Sequence, residues 1–323
     1  MSYEKTVILP VDPDTAFELI TQPERLRRWK TVAARIDLRL GGEYRWTITP
    51  GYSAKGTFTH IEPGRQLVYT WGWEGSTDLP PGTSTVTITL EPVPGGTSVL
   101  LAHEGLTDEQ SASHAEGWNH YLDRLVEYAT TGDAGADPWA AAPEHLDELT
   151  SAEAVLAITQ RVLRSVKNSD LANSTPCTEF NLAQLIDHQY ESIARIAASV
   201  GVKAPENPDS SFEVRLADLS QKTLETFRHR GLDGLLRLGP DELPANIVTN
   251  ILNIELLVHA FDIAKAIHQE LQISPILADY VLDLARKTIS PQIRKSGFFG
   301  EEIAIGDSQD SVKRLLAFTG RAA

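Results

Sequence analysis

Cysteine is almost missing from this chain: Cys177 is the single one in 323 residues. An internal disulfide is excluded, as is a metal site of several thiolates, so any bound metal must be held by His, Asp or Glu. Cations are also scarce, with 29 Lys and Arg against 44 Asp and Glu and a formal net charge of -15. Such a chain repels phosphate backbones and shows no basic stripe, so nucleic acid is not expected as a partner. No apolar run approaches the roughly 18 residues of a membrane span. Met1 to Val11 mixes acid and base and lacks the apolar core of a signal peptide. The expected location is cytoplasmic, with no membrane partner.

What remains is ordinary globular material, 41% hydrophobic and 23% charged, enough for the two domains this length suggests. All six tryptophans (Trp29, Trp46, Trp71, Trp73, Trp118 and Trp139) lie in the first half. Strand-like alternation gives way to helical periods around Thr130–Glu144, a stretch rich in Gly, Ala, Pro and Asp. We expect one domain over residues 1–132, a linker over 133–149 and a second domain over 150–323.

The first domain opens with a strand at Glu4–Leu9, followed by short helices broken at Pro23. Alternation then runs through Ile36, Leu38 and Leu40, turns at Gly41-Gly42, and resumes at Tyr44, Trp46 and Ile48. Further strands are expected at Gly56–Ile61, Gln66–Trp73, Ser84–Leu90 and Thr97–Glu104. Trp118, Leu122 and Leu125 then mark one face of a closing helix. Such a sheet can curl around that helix and leave a cavity. Trp46, Trp71, Trp73 and Trp118 are candidates to line it, with plain core packing the equal alternative. His60 and His103, on strands, are expected to line or border it.

This order, with "VDPDTAFELIT", "RLRRWKT", "LGGEYRW", "GTFTHIEPGRQLVYTWGW" and "HAEGWNHYLDRLVEY", resembles the START-like (SRPBCC) superfamily. The similar branch is that of the Hsp90 ATPase activators. The resemblance implies an α+β helix-grip fold and leaves function open, because that fold hosts binders, cyclases and chaperone cofactors alike.

The second domain reads as all helix. Thr150 and Glu153 fit a capping box, Asn181 can cap a second helix, and Phe212–Arg230 forms a third stopped by Gly231. A long fourth helix is expected over Pro244–His268, with Pro240–Pro244 as its start signal. Later helices follow at Ile276–Ile289 and Ser311–Phe318. Inside the fourth helix, Glu255 and His259 stand four apart and face the same way among apolar residues on nearly every side. Buried carboxylates are costly unless paired or metal-bound, so a divalent cation is a natural partner. Asp262, three residues on, is a candidate to orient the imidazole as an outer-shell group, with a place at the buried edge the alternative. His188 on the second helix is the candidate third ligand. The competing reading is a plain helix pair beside a core histidine. Cys177 reads as a structural thiol, with no cation beside it in sequence to lower its pKa. No Ser/His/Asp nucleophile motif, Walker loop or Rossmann glycine pattern occurs in a persuasive context.

"TPCTEFNLAQLIDHQ", "IELLVHAFDIAKAI" and "FGEEIAIGDSQDSVKRLLAFTGR" resemble the DinB-like superfamily. They are closest to relatives of the N-terminal domain of mycothiol-dependent maleylpyruvate isomerase. The resemblance implies a four-helix bundle holding one divalent metal ion, zinc first and nickel or manganese next, at His188, Glu255 and His259. It also implies mycothiol or a similar thiol as cofactor, and it permits a homodimer. That isomerase carries a further C-terminal domain; here a START-like domain stands in front instead. The expected function is a metal-dependent, thiol-using transferase or isomerase on a small electrophilic or apolar substrate, with the START-like domain capturing the ligand. The alternative is a non-catalytic binder of a hydrophobic small molecule with a structural metal. A third reading is an interaction protein of the chaperone-activator kind.

Overall fold

Period-two burial shapes the first part of the chain. Leu67, Tyr69 and Trp71 point into the core, as do Val86, Ile88 and Leu90, and Val99, Leu101 and His103, while their neighbours face outward. That is the pattern of strands covered on one face. The computed structural model describes residues 2–141, 143–205, 210–295, 299–306 and 308–322. The chain forms two compact units, Met1–Asp137 and Pro138–Ala323.

The first unit runs β1 (Tyr3–Leu9), α1 (Pro13–Thr21), α2 (Pro23–Leu26), β2 (Ala33–Ile36), β3 (Glu43–Thr49), β4 (Tyr52–Glu62), β5 (Gln66–Trp71), β6 (Ser84–Val93), β7 (Gly96–Glu104) and α3 (Asp108–Thr131). The strands form one antiparallel sheet in the order β1-β7-β6-β5-β4-β3-β2. Pro23 stops α1 by holding Gln22 extended, and the broken pair α1–α2 carries the chain from one edge of the sheet to the other. Helix α3 is set by a Thr107–Gln110 capping box and ends at Gly132, whose φ of 83° suits glycine. It buries Trp118, Tyr121, Leu122, Leu125 and Tyr128 against the sheet, each stabilising by about 1.5–3 kcal/mol.

Two expectations for this unit need correction. The alternation at Ile36, Leu38 and Leu40 is not one strand: β2 ends at Ile36, and Leu40 is 71% exposed. At Gly42 a Cβ would sit 2.1 Å from the Asp37 carbonyl oxygen, so the backbone folds onto itself there and cannot run on extended. His60 faces solvent, whereas His103 is fully buried. Within the stretch expected as linker, Arg124 donates to the carbonyls of Ala134, Gly135 and Ala136, and His120 contacts Asp137 at 3.0 Å. These bonds bind residues 134–137 into the first unit.

The second unit contains α4 (Pro138–Ala141), α5 (Glu148–Ser165), α6 (Leu182–Ser199), α7 (Phe212–Arg230), the hairpin β8 (Leu235–Leu238) and β9 (Asp241–Pro244), α8 (Ala245–Ala266), α9 (Pro275–Thr288), α10 (Pro291–Lys295) and α11 (Ser311–Phe318). Helix α5 packs on α7 and α8, and α6 packs on the same two. The reading of this part as all helix is overturned at Leu235–Pro244, where Gly239 turns the chain with φ 65° and β9 pairs back on β8. Helix α8 therefore begins after Pro244, the last residue of β9, which occupies the N-cap position and makes no side-chain capping bond. Helix α5 is capped by Asp147, whose carboxylate accepts from the amides of Leu149 and Thr150. The Thr150–Glu153 box is displaced because a carboxylate three residues earlier already satisfies the orphan amides.

Helix α8 is buried on all sides. By length and composition alone it is apolar enough to cross a bilayer, and 83% of its apolar window is buried within the protein, as in a core helix.

Lys30 is an exception to the apolar interior of the first unit. It is 4% exposed, and burial drives its amine well below the usual lysine range. Lys30→Met removes that cost while keeping the stem. It is expected to raise the unfolding free energy by about 1–3 kcal/mol, read by urea unfolding on tryptophan fluorescence. Unchanged or lowered stability would show that the amine is satisfied where it lies.

Candidate metal centre

Helix α8 carries Glu255 and His259 one turn apart, and α6 brings His188 to face them. One ligand atom from each of the three lies within 4.8 Å of the other two. The alignment of the helices is set beside the site, where the Gln189 amide donates to the Glu255 carbonyl at 3.1 Å. Gln189 is fully buried, so that bond holds α6 to α8 in a region without competing water.

The electrostatics select one form of His259. Its Nδ1 donates to Asp262 Oδ2 at 3.1 Å, since an ionised carboxylate can only accept. Nε2 is thereby turned toward Glu255, 3.6 Å from its Oε2. Burial opposes the Asp262 charge, but the bond from His259 and the Arg321 guanidinium outweigh it and hold the carboxyl below its usual range. Arg321 reaches Asp262 Oδ2 at 3.1 Å and also donates to the Thr319 carbonyl at 2.7 Å. His188 is half-buried and stacks on Phe180 with centroids 4.9 Å apart. Burial lowers its pKa, partly offset by Glu255, which keeps its imidazole free to ligate.

These residues fit a divalent ion. Two imidazoles and a carboxylate are a common donor set for zinc. Among the described residues Glu255 Oε2 is buried and receives no hydrogen bond, so its lone pairs lack a donor there. Bonds of about 2.0–2.1 Å in tetrahedral geometry place ligand atoms about 3.3 Å apart, close to the 3.6 Å between His259 and Glu255.

Sequence reasoning missed Arg321, whose only signal is a lone cation near the end of the chain. Cys177 is half-buried, and burial raises its thiol, against a thiolate role. In the first unit, Trp46 and Trp118 line a cavity of about 10 Å³ with Lys30, whereas Trp71 and Trp73 lie outside its lining. Trp118 Nε1 donates to His103 Nδ1 at 3.0 Å, so His103 Nε2 donates to Ser84 at 2.9 Å. Burial pushes the His103 pKa down to about 3.

Asp262→Ala would leave the Arg321 cation buried beside His259 and is expected to cost about 3–5 kcal/mol. Asp262→Leu with Arg321→Met should recover most of it. Far-UV circular dichroism during urea unfolding measures both, and a cost under about 1 kcal/mol would place the pair among solvated bridges. Because the Asp262 pKa is depressed, its contribution is present above the unfolded value of 3.8 and is lost as pH falls through the lower folded value.

A family comparison places a known sequence model within the first unit. The sequence model of the family described as "Activator of Hsp90 ATPase homolog 1-like protein" matches residues 10–130. An AHSA1-like protein of Rhizobium etli, solved in solution, is 38% identical and covers 46% of this chain and 91% of its own, with a TM-score of 0.38. DynU16, a protein of the dynemicin biosynthetic locus, is 22% identical, with 43% of this chain covered and a TM-score of 0.39. The match spans about half, 51%, of DynU16. Uncharacterized protein Rv0738 of Mycobacterium tuberculosis is 29% identical over 164 residues, 50% of this chain and 90% of its own length. Residues 10–130 are thus an AHSA1-like domain of the START-like, SRPBCC type.

Proposed function

We propose that the second unit is a DinB-like four-helix bundle holding one divalent metal ion, zinc first, through His188, Glu255 and His259. We read the chain as a thiol-using transferase or isomerase acting on a small electrophilic or apolar substrate. The observation that carries the metal reading is the convergence of three ligand atoms beside a carboxylate oxygen with no hydrogen-bond donor. The resemblance to mycothiol-dependent relatives supports the thiol.

A bound metal of this kind supplies Lewis acidity and lowers the pKa of a coordinated thiol. The chain's own residues do the rest. Asp262 holds His259 in the tautomer that presents Nε2, and Arg321 holds Asp262. Glu255 contributes negative charge on the same side. His188 and Glu255 are only partly buried, which leaves a side for a substrate to approach.

The second reading is a binder that sequesters a hydrophobic small molecule, with a structural metal. It is supported by the AHSA1-like match, whose fold hosts binders among other functions. Native mass spectrometry of the purified protein tests it by showing or failing to show a co-purifying apolar molecule. The AHSA1-like match also supports a chaperone-activator role, to which the bundle residues add nothing.

Elemental analysis of wild type beside His259→Ala and Glu255→Gln tests the metal. About one equivalent is expected in the wild type and little in either variant. Added zinc should raise the wild-type Tm by mass action. Metal-free wild-type protein, purified without chelators and unmoved by zinc, would reduce the site to a buried pair. Thiol-dependent consumption of an electrophile then tests the reaction itself.

A further inference from the structure

Lys30 follows α2, its amide bonded to the Leu26 carbonyl at 2.9 Å, and its side chain runs inward. Its Nζ lies 4.2 Å from the ring centroid of Trp46, 4.5 Å from Trp118 and 5.1 Å from Trp71. Among the described residues no carboxylate pairs with it, and desolvation is what sets its protonation. Around it the unsatisfied groups are donors. The indole nitrogens of Trp46 and Trp71 and the Tyr69 hydroxyl are buried without a hydrogen-bond partner. Lys30, Trp46, Tyr69 and Trp118 line the same cavity, otherwise walled by aliphatic and aromatic side chains.

The chemistry of a fitting molecule follows from what this place lacks. It has an amine and N–H and O–H donors, and the acceptors these side chains offer are only the Tyr69 hydroxyl and the neutral amine itself. A carboxylate would bring a full charge into an apolar cage and require a proton for the amine. A carbonyl is neutral, accepts hydrogen bonds, and has an electrophilic carbon. A lysine desolvated in an apolar pocket is an amine nucleophile of the kind that forms Schiff bases with carbonyl substrates. The nearby base His103 is occupied, accepting from Trp118 and donating to Ser84, so it does not neutralise or protonate Lys30. The cavity of about 10 Å³ holds about one water, so the entering group is small or displaces side chains.

We propose that Lys30 captures a small apolar aldehyde or ketone in this cavity as an imine. The nitrogen attacks the carbonyl carbon, a C=N bond replaces C=O, and the oxygen leaves as water with the two amine hydrogens. This rests on the reading of the AHSA1-like domain as a ligand-capturing module and adds the reactive group of the ligand. It is independent of the metal centre.

The test treats the full chain at neutral pH with limiting acetaldehyde and sodium cyanoborohydride, which fixes any imine as an N-ethyl amine, and maps the labelled peptides. Lys30 is expected to label ahead of the exposed Lys203 and Lys222. Lys30→Met should lose that adduct with an unchanged far-UV spectrum. A Lys30 that stays unlabelled, or labels no faster than the exposed lysines, overturns the proposal and leaves a cation packed among indoles. If Lys30 fails to label while native mass spectrometry finds a co-purifying apolar molecule, the ligand-capturing reading stands and the imine alone is lost.

Discussion

Three ionisable side chains on two turns of an apolar helix set the terms for the second unit. Glu255, His259 and Asp262 lie on α8 where water is largely excluded, and carboxylates there persist only with partners. Asp262 finds two, the imidazole of His259 and the guanidinium of Arg321. The pairing with Arg321 joins the segment after α11 to the C-terminal part of α8, 59 residues away. Glu255 is less well provided, and His188 opposite it on α6 supplies a lone pair and no compensating charge. The helices around α8 thus solve a charge problem as well as a packing problem.

The first unit handles a buried charge differently. Among the described residues Lys30 meets no acid, only the faces of indole rings. Cation–π contact returns part of the lost hydration, on the order of 2 kcal/mol when desolvated, well short of what burying an ammonium costs. The neutral amine is therefore the form the fold favours. Natural proteins commonly keep such costs where function needs them.

Much of this is legible in the sequence alone. Alternation located β5, β6 and β7 because each buries one face. The long α8 was visible from its unbroken apolar neighbours, and Glu255 and His259 from their spacing on it. His188 could be nominated because it follows Leu185 and Ile186 on the same helix. The misses are physical as well. Leu38 and Leu40 alternate without being buried, because Gly42 packs against the Asp37 carbonyl. The β8–β9 hairpin hid behind Gly239-Pro240, whose turn chemistry resembles a helix start. Arg321 could not be found by periodicity, because its partner is distant in sequence. Lys30 is unremarkable in "RRWKT", since nothing local says the lysine points inward.

The order of the sheet has a kinetic corollary. β1 pairs with β7, Tyr3 opposite His103, so the first strand waits for nearly the whole unit before it finds its neighbour. Loop closure on that scale is slow to nucleate, whereas helical units rich in local contacts form early. The two halves of this protein should therefore mature on separate clocks. Until β7 arrives, β1 is an unpaired edge bearing Ile8, which even in the finished fold is 60% exposed, and that interval is when this chain is most open to pairing with the wrong strand.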